Sequence, residues 1–458
     1  MSESQTSVEW GGRPLHFIAI GGAGMSGLAL VAHRRGARVS GSDRAESSYL
    51  DRLRGAGLDP LVGHDPDSVP ADAEVVVSTA IADDNPELVR ARERGQPVIH
   101  RGALLAELCA ERRLIAVAGT HGKTTTAGML AHALRATGAD PAFFIGGDLP
   151  GASEGGGAAN AGWGKGEWAV AEADESDASF LELQPEIAVV TGVELDHHSR
   201  WRSRAELARA FARFARPAQG LALAAAPELD PIAGGQRVAR YGRALLDPRV
   251  RGRVAPDRID ERVSELLPAL SVPGRHNLAN ALGALAAVEL AGLDTAGAAA
   301  ALGSFPGILR RLERKGSFAG AAVYDDYAHH PTEVDAALAA LRELGPRRLV
   351  AVFQPHLYSR TKALAEGFGE ALAAADEVGV LDVYPAREQP VGPLAGVSGL
   401  AVARATADRA EGRPVWWLRD TETARRALAP RLGEGDLLVT LGAGDVYELA
   451  DSLVGEGG

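Results

Sequence analysis

Lysine is nearly absent from this chain of 458 residues: Lys123, Lys165, Lys315 and Lys362 stand among 48 basic residues. Arginine therefore carries almost all the positive charge, and a lysine inside a motif is not surface filler. Cysteine is scarcer still, with Cys109 alone, which excludes an intramolecular disulfide framework. No apolar run is long and unbroken enough to span a bilayer, and the opening MSESQTSVEW has no apolar signal core. A cytoplasmic location is expected. Positive charge is short overall, since the net charge is −12, and an acidic surface attracts neither phosphate backbones nor anionic lipids. Nucleic acid and membrane are not expected partners, and the sequence leaves monomer or homodimer open.

What is present is ordinary for a folded globular protein, with 46% hydrophobic and 24% charged residues. The length exceeds what one core organises. Three α/β domains are expected, over residues 1–110, 111–304 and 305–458. In the first, "LHFIAIGGAGMSGLALVAHRRGARVSGSD" reads as a strand, a glycine turn, a small-residue helix and a second strand, a Rossmann-like βαβ unit. In the second, "RRLIAVAG" runs into a loop that opens a helix, as in phosphate-loop ATPases, and "GGDLPGASEGGGAANAGWGKG" reads as a mobile surface loop. The alanine-rich "PGRHNLANALGALAAVELAG" closes this domain as a long helix, and "SFPGILRRLERKG" crosses into the third. There the Rossmann-like α/β pattern returns, with four apolar strands in "AAVYDDYAHHP", "RRLVAVFQPH", "ADEVGVLDVYP" and "GDLLVTLGAGD". Each ends in a polar loop, where parallel sheets place their binding groups.

The run Gly119-Thr120-His121-Gly122-Lys123-Thr124 follows a strand and opens a helix. Its glycines let backbone N–H groups approach phosphate oxygens, the helix N-terminus adds a positive dipole, Lys123 reaches the outer phosphates and Thr124 suits magnesium. Val117 stands where the common pattern has its first glycine, so a strict search misses it. An ordinary turn before a helix would have to explain a rare lysine beside three threonines, and nucleotide binding is favoured. Glu172 ends the strand "WAVAE" like the second acidic partner of a magnesium site, with Asp174, Glu175 and Asp177 just after it; an acidic loop after a strand is also commonplace. Asp196-His197-His198 suits a second magnesium ion or a phosphate, or is a surface histidine pair, and no zinc set accompanies it. Gly22-Ala23-Gly24-Met25-Ser26-Gly27 with Asp43 matches the dinucleotide fingerprint. That geometry guarantees only a diphosphate on a helix N-terminus, which a UDP-sugar also carries. In the third domain Asp325, Asp326, His329, His356 and Arg360 follow strands, and each alone reads as a polar loop residue.

Taken in order, "GGAGMSG", "GTHGKTTT", "EADESD", "ELDHH", "PGRHNLANA", "LRRLERKG", "DDYAHHPTE", "FQPH" and "GAGD" closely resemble the muramyl ligase family over nearly the whole chain. The pattern is most similar to the branch that adds L-alanine to UDP-N-acetylmuramate. The resemblance implies a sugar-nucleotide site at Gly22, Ala23, Gly24, Met25, Ser26, Asp43, Ser78 and Thr79. It implies ATP on Gly119, Thr120, His121, Gly122, Lys123, Thr124 and Thr125, faced by His276, Asn277 and Asn280, with Asp325 or Asp326 on the ribose. Catalytic roles would fall to Lys123, Glu172, His197 and Arg310 or Arg311. Two Mg²⁺ ions are implied, one on Thr124 and Glu172, the other on His197. His329, His356 and Arg360 would position the amino acid or the acyl group. The implied chemistry is an acyl phosphate, formed from the substrate carboxylate and ATP and then displaced by the alanine amine.

This chain departs from the family pattern at Gly192, where asparagine is usual, at Ser199, where aspartate is, and at Leu357, where the alanine branch has arginine. Arg360 then carries the amino-acid carboxylate alone, which predicts weak alanine affinity. Sibling ligases use a carbamylated lysine after the "DH" pair; here Arg209, Arg213 and Arg216 occupy that helix, so no carbamylated residue is expected. Two rivals stand beside this reading: the recycling ligase that attaches a tripeptide to the same sugar nucleotide, and an NAD-dependent dehydrogenase built on the first fingerprint.

Overall fold

Short runs of valine, isoleucine, leucine and alanine, bounded by glycine turns, become parallel strands buried on both faces. In the computed structural model, which describes residues 9–153, 155–195, 200–243, 269–386 and 388–456, these strands make three sheets. The first joins β1 (Pro14–Ile18), β2 (Arg38–Asp43), β3 (Leu61–Val62), β4 (Glu74–Val77) and β5 (Val98–His100) in the order β3-β2-β1-β4-β5, all parallel. The second joins β6 (Arg113–Ala118), β7 (Ala142–Leu149), β8 (Ala159–Gly162), β9 (Trp168–Glu172), β10 (Ile187–Val190), β11 (Gly220–Ala224) and β12 (Arg237–Tyr241) in the order β12-β11-β10-β6-β9-β7-β8. The third joins β13 (Glu313–Phe318), β14 (Ala321–Asp326), β15 (Arg348–Phe353), β16 (Glu377–Val380), β17 (Val415–Trp417) and β18 (Asp436–Leu441) in the order β13-β14-β18-β15-β16-β17. Only β8 and β13, at sheet edges, run antiparallel to their neighbours among the described residues.

Two compact units emerge. Met1–Leu270 with Leu278–Pro306 holds the first two sheets, and Ser271–Asn277 with Gly307–Gly458 holds the third. Within the first unit one hydrophobic cluster runs from Trp10 and Phe17 through to Phe211 and Leu223, so the first two sheets share a continuous core. Three rings anchor the loop after β9: Phe180 lies 5.3 Å from Phe211 and 5.3 Å from Phe214, both on the helix Arg204–Ala215. Each such pair contributes about 0.5–1.5 kcal/mol beyond area burial. The acidic loop between Glu172 and Phe180 is thereby tied down at its far end.

One expectation is overturned here. The glycine-rich stretch after residue 145, read as a mobile loop, contains the end of β7 and all of β8, and every residue of β8 is buried. Its small side chains answer a packing need. The helix Ala23–Arg34 lies against β8, and a Cβ on Gly27 would come 2.8 Å from the Ala161 Cβ. Asn160 also donates to the Ala23 carbonyl. Glycine and alanine at this seam mark close approach of two elements. The segment read as a crossing, "SFPGILRRLERKG", likewise ends inside strand β13.

Candidate active site

The phosphate loop follows β6 and opens the helix Lys123–Ala136, whose N-cap Gly122 takes φ +79° and makes no side-chain cap bond. The first N–H groups of that helix are left for a ligand. Gly119 at φ +133° lies so close to Thr191 that no Cβ fits, and Asn280 crowds Gly122 in the same way. The loop is stapled to the segment after β10. Thr120 Oγ1 donates to the Glu194 carbonyl at 3.0 Å and accepts the Glu194 N–H at 2.9 Å, while the His121 ring lies 3.0 Å from the Glu194 carboxylate. Lys123 curls over the loop, donating to the carbonyls of Gly119 at 2.8 Å and Thr120 at 3.3 Å and pairing with Glu175 at 2.8 Å. Burial opposes its charge, but the field of Glu175, Asp174 and Glu172 outweighs burial and raises its pKa. Burial pushes the Glu175 carboxyl up to about 7 against the pull of Lys123.

Thr124 Oγ1 donates to Glu172 Oε1 at 3.0 Å, and Glu172 Oε2 accepts the Gly146 N–H at 2.6 Å. Hard oxygen donors thus meet beside the phosphate loop, the donor set magnesium prefers. His197, expected to hold a second ion, lies outside the described residues, as do Asp196, His198 and Ser199. A Cβ at Gly146 would stand 2.7 Å from Glu172 Oε2. Gly146→Ala should therefore displace that carboxylate and raise the Mg²⁺ concentration needed for half-maximal turnover about tenfold, a shift of about 1.4 kcal/mol. Gly146 is exposed, so the melting temperature should hardly move. An unchanged Mg²⁺ titration would show that Glu172 is not tied to the metal.

The second candidate in this unit is the glycine turn after β1. Its helix, Ala23–Arg34, is again capped by a glycine, Gly22, with no side-chain bond. Asp43 Oδ2 at the end of β2 accepts the Gly21 N–H at 2.9 Å, which fixes the turn, and Ser26 Oγ donates to the Ala23 carbonyl at 3.2 Å. Met25 is buried in the core. Ser78 and Thr79 follow β4, at the same edge of strands as Asp43.

In the other unit the polar groups again follow strands. Asp325 is fully buried, accepting from Thr440 Oγ1 at 2.6 Å and from Arg310 Nε at 3.1 Å. Asp326 accepts the N–H groups of Leu312 and Ala328, both at 2.7 Å, and burial pushes its pKa up to about 6. Arg310 uses two of its nitrogens within the protein: besides Nε on Asp325, Nη2 donates to the carbonyls of Gly442 at 2.9 Å and Gly444 at 3.2 Å, and the guanidinium lies over the rings of Tyr327 and Tyr447. Arg311 also lies over the Tyr327 ring, at 5.2 Å, and its charge adds to burial in lowering the pKa of His276 and His329. His329 and His356 face one another at 6.3 Å, His356 stacks on Tyr384 at 5.8 Å, and Arg360 Nη1 lies 3.5 Å from His356 Nδ1. Leu357 adopts φ +69°, a conformation costing about 1–3 kcal/mol in a non-glycine residue. Its N–H bond to the Tyr384 carbonyl at 2.9 Å and the Thr361 hydroxyl on its own carbonyl hold it there. The motifs "FQPH" and "GAGD" meet through Gln354, which donates to Asp445 at 2.6 Å.

Burial lowers the His329 pKa to about 4, helped by Arg360 and Arg311 and opposed by Glu333. Burial and then Arg311 lower that of His276 to about 4. Both rings are neutral near pH 7. Because these values lie below the unfolded histidine value of about 6.5, the unfolded chain takes up protons first. The stability they contribute is present above about pH 6.5 and is lost as the pH falls toward 4. Melting temperature against pH should fall over that window, and His329→Asn should flatten the fall; an identical slope in the variant would refute the assignment.

The structure thus gathers Lys123, Thr124, Glu172 and Asn280 at one loop and places Thr125 one residue further along the same helix. It sets Asn277 with its side chain donating to the Pro273 carbonyl at 2.8 Å. Four residues that touch these candidate groups escaped the sequence reading, Arg101 among them through its bonds to Asp174 and Asp177. Glu175 was seen only as part of an acidic run, although pairing with a rare lysine was the available signal. Arg101, Asn160 and Tyr384 carried no local signal, because each acts through a neighbour distant in sequence.

Three comparisons bear on this arrangement. Residues 14–113 match the Mur ligase family catalytic domain, 117–232 the Mur ligase middle domain and 310–444 the Mur ligase glutamate ligase domain. The UDP-N-acetylmuramate–L-alanine ligase of Streptomyces coelicolor is 46% identical, with 96% of this chain and 97% of that protein covered. Its counterpart in Kineococcus radiotolerans is 48% identical over 94% and 93%. Among solved structures, the UDP-N-acetylmuramate–alanine ligase of Thermotoga maritima superposes with a TM-score of 0.79 at 28% identity, covering 97% of this chain and 98% of that one. The murein peptide ligase of Psychrobacter arcticus, at 24% identity and a TM-score of 0.69, shares the fold.

Proposed function

The chain belongs to the Mur ligase family, and from that premise we propose how its residues divide the work of an ATP-dependent ligation. The protein joins UDP-N-acetylmuramate to L-alanine with conversion of ATP to ADP and phosphate, a step of peptidoglycan precursor synthesis, as do the relatives it resembles at 44–48% identity. Membership sets aside the dehydrogenase reading. The observation that carries the division of labour is the phosphate loop with its charged lysine beside the Thr124–Glu172 pair.

A carboxylate is a poor acylating agent and phosphate a good leaving group, so the reaction runs in two displacements. A lactyl carboxylate oxygen attacks the γ-phosphorus of ATP, and the bond to ADP breaks. The alanine nitrogen then attacks the acyl carbon, loses its proton, and the bond to phosphate breaks. Catalysis in both steps is positioning and neutralisation of charge. Lys123 stabilises the transferring phosphoryl group, and the N-terminus of its helix holds the phosphate chain. Thr124 and Glu172 would hold one Mg²⁺ and His197 a second; the ion, when bound, screens the charge of the phosphates. The glycine turn and Asp43 receive the diphosphate of the sugar nucleotide. Arg310 or Arg311 contacts phosphate, and Arg310 already gives Nε and Nη2 to protein acceptors. Asp325 and Asp326 are both committed to protein donors, so a ribose would share oxygens already in use. His329, His356 and Arg360 orient the amino acid or the acyl group, and Leu357 leaves Arg360 without a second arginine.

Phosphate release from ATP and Mg²⁺ with UDP-N-acetylmuramate tests the reading, with L-alanine, glycine, L-serine and the L-alanyl-D-glutamyl-diaminopimelate tripeptide compared as amines. Release that depends on both the sugar nucleotide and L-alanine is expected. Preference for the tripeptide would move the chain to the recycling branch, and release without the sugar nucleotide would overturn the role given to the first domain.

A further inference from the structure

Arg101 begins the helix Arg101–Cys109, directly after β5. Its side chain is 22% exposed and spends one nitrogen on two carboxylates: Nη2 donates to Asp174 at 2.9 Å and to Asp177 at 3.1 Å. The other terminal nitrogen, Nη1, faces the glycine turn and lies 3.2 Å from where a Cβ of Gly24 would stand. Nη1 makes no hydrogen bond among the described residues. One guanidinium therefore spans from the turn assigned to the sugar nucleotide to the acidic loop beside the ATP site.

That loop is built to transmit a pull. Asp174 accepts the Ser176 N–H at 3.0 Å and Asp177 the Ser179 N–H at 2.9 Å, so both carboxylates brace the backbone between them. Glu172 lies two residues before Asp174, and Glu175, the partner of Lys123, one residue after it. Gly102 leaves no room for a Cβ against Ser179, so the helix of Arg101 packs directly on the end of the loop. Arg101, Glu172, Asp174 and Ser179 line one small cleft. On the other side of the turn, Asn160 holds the Ala23 carbonyl.

We propose that Arg101 couples the two substrates: a diphosphate oxygen on the glycine turn engages Nη1, and the guanidinium so fixed orders Asp174 and Asp177 and with them the Glu172–Glu175 segment that receives Mg·ATP. Arg101 is a positioning residue for the ATP site. The inference rests on the reading that the glycine turn binds UDP-N-acetylmuramate. Bidentate guanidinium geometry suits this bridging, and lysine cannot reproduce it. By linkage each substrate then tightens the other by the same factor.

The test is calorimetry on the full chain, measuring the Kd of Mg·AMP-PNP alone and with saturating UDP-N-acetylmuramate. The native protein should bind the nucleotide about tenfold more tightly when the sugar nucleotide is present, within the range usual for coupled sites. Arg101→Gln should bring that ratio near one while leaving the affinity for the nucleotide alone within about twofold, and Arg101→Lys should restore little of it. A merely structural ion pair would weaken nucleotide binding in both conditions and leave the ratio intact. Asp177→Asn keeps Arg101 and removes one brace, so it decides the matter should Arg101→Gln fail to fold; its ratio should drop as well. A native ratio of one, or variants with the native ratio, overturns the coupling alone. Failure of the native protein to bind UDP-N-acetylmuramate overturns the reading of the turn itself.

Discussion

Lys123→Ala should lower turnover by about 10³-fold, the scale for removing a preorganised charge from a phosphoryl or acyl transition state. The affinity for UDP-N-acetylmuramate should stay within about twofold of native, because that ligand is assigned to the turn after β1 rather than to the loop after β6. The ammonium is held in advance by the Gly119 and Thr120 carbonyls and by Glu175, so no reorganisation is needed when phosphate charge develops. Its removal also strands the Glu175 carboxyl, 1% exposed and already pushed up to about 7 by burial. Without the lysine that value rises further. A carboxyl whose folded pKa exceeds its unfolded value destabilises the fold as the pH rises. The variant should therefore melt normally near pH 6 and progressively lower toward pH 9. Adding Glu175→Gln should remove this pH dependence and restore no turnover. Recovery of activity in the double variant would mean that Glu175, rather than Lys123, limits the reaction.

Glu172→Gln should cost about 10²-fold in kcat/KM at fixed Mg²⁺ and move the Mg²⁺ activation curve to higher concentration. The substitution keeps shape and volume but replaces one oxygen by an amide nitrogen, which donates only. That nitrogen must face either the Thr124 hydroxyl or the Gly146 N–H, and the latter already donates to Oε2 at 2.6 Å. The amide will turn its oxygen to Gly146 and present its nitrogen where a cation is wanted. Folding should be little affected, so a matching melting curve with a displaced Mg²⁺ titration is the expected signature. An unchanged titration would show that the metal is held elsewhere.

Parts of the fold were readable wherever a local rule decides the structure. The strand, glycine turn and helix at Pro14–Arg34 and at Arg113–Ala136 were legible because turn chemistry and apolar runs are properties of neighbouring residues. The phosphate loop was legible despite Val117 because Lys123 is one of four lysines. Strand β8 was not, since Ala159–Gly162 has no β-branched residue and earns its place only by fitting under the helix of Gly27. Strands β13 and β17 were missed for related reasons. The first is mostly polar, at the sheet edge, and the second is three residues long. At the candidate site, the strand-end carboxylates were visible as residue types, but not their commitments. That Asp325 is taken up by Arg310 and Thr440, or that Arg101 reaches Gly24, depends on contacts between segments from 15 to 115 residues apart.

The burial of β8 beneath the first domain's helix bears on how such proteins exchange parts by recombination. A crossover placed between the first two sheets, near residue 111, would give the incoming first domain a foreign Ala159–Gly162 strand. A leucine or valine at position 161 in the donor would grow toward Gly27, a seam so tight that even a Cβ added to Gly27 would come 2.8 Å from the Ala161 Cβ. The heritable module is therefore the first sheet together with a distant four-residue strand. Hybrids that inherit both from one parent should be recovered far more often than those that split them.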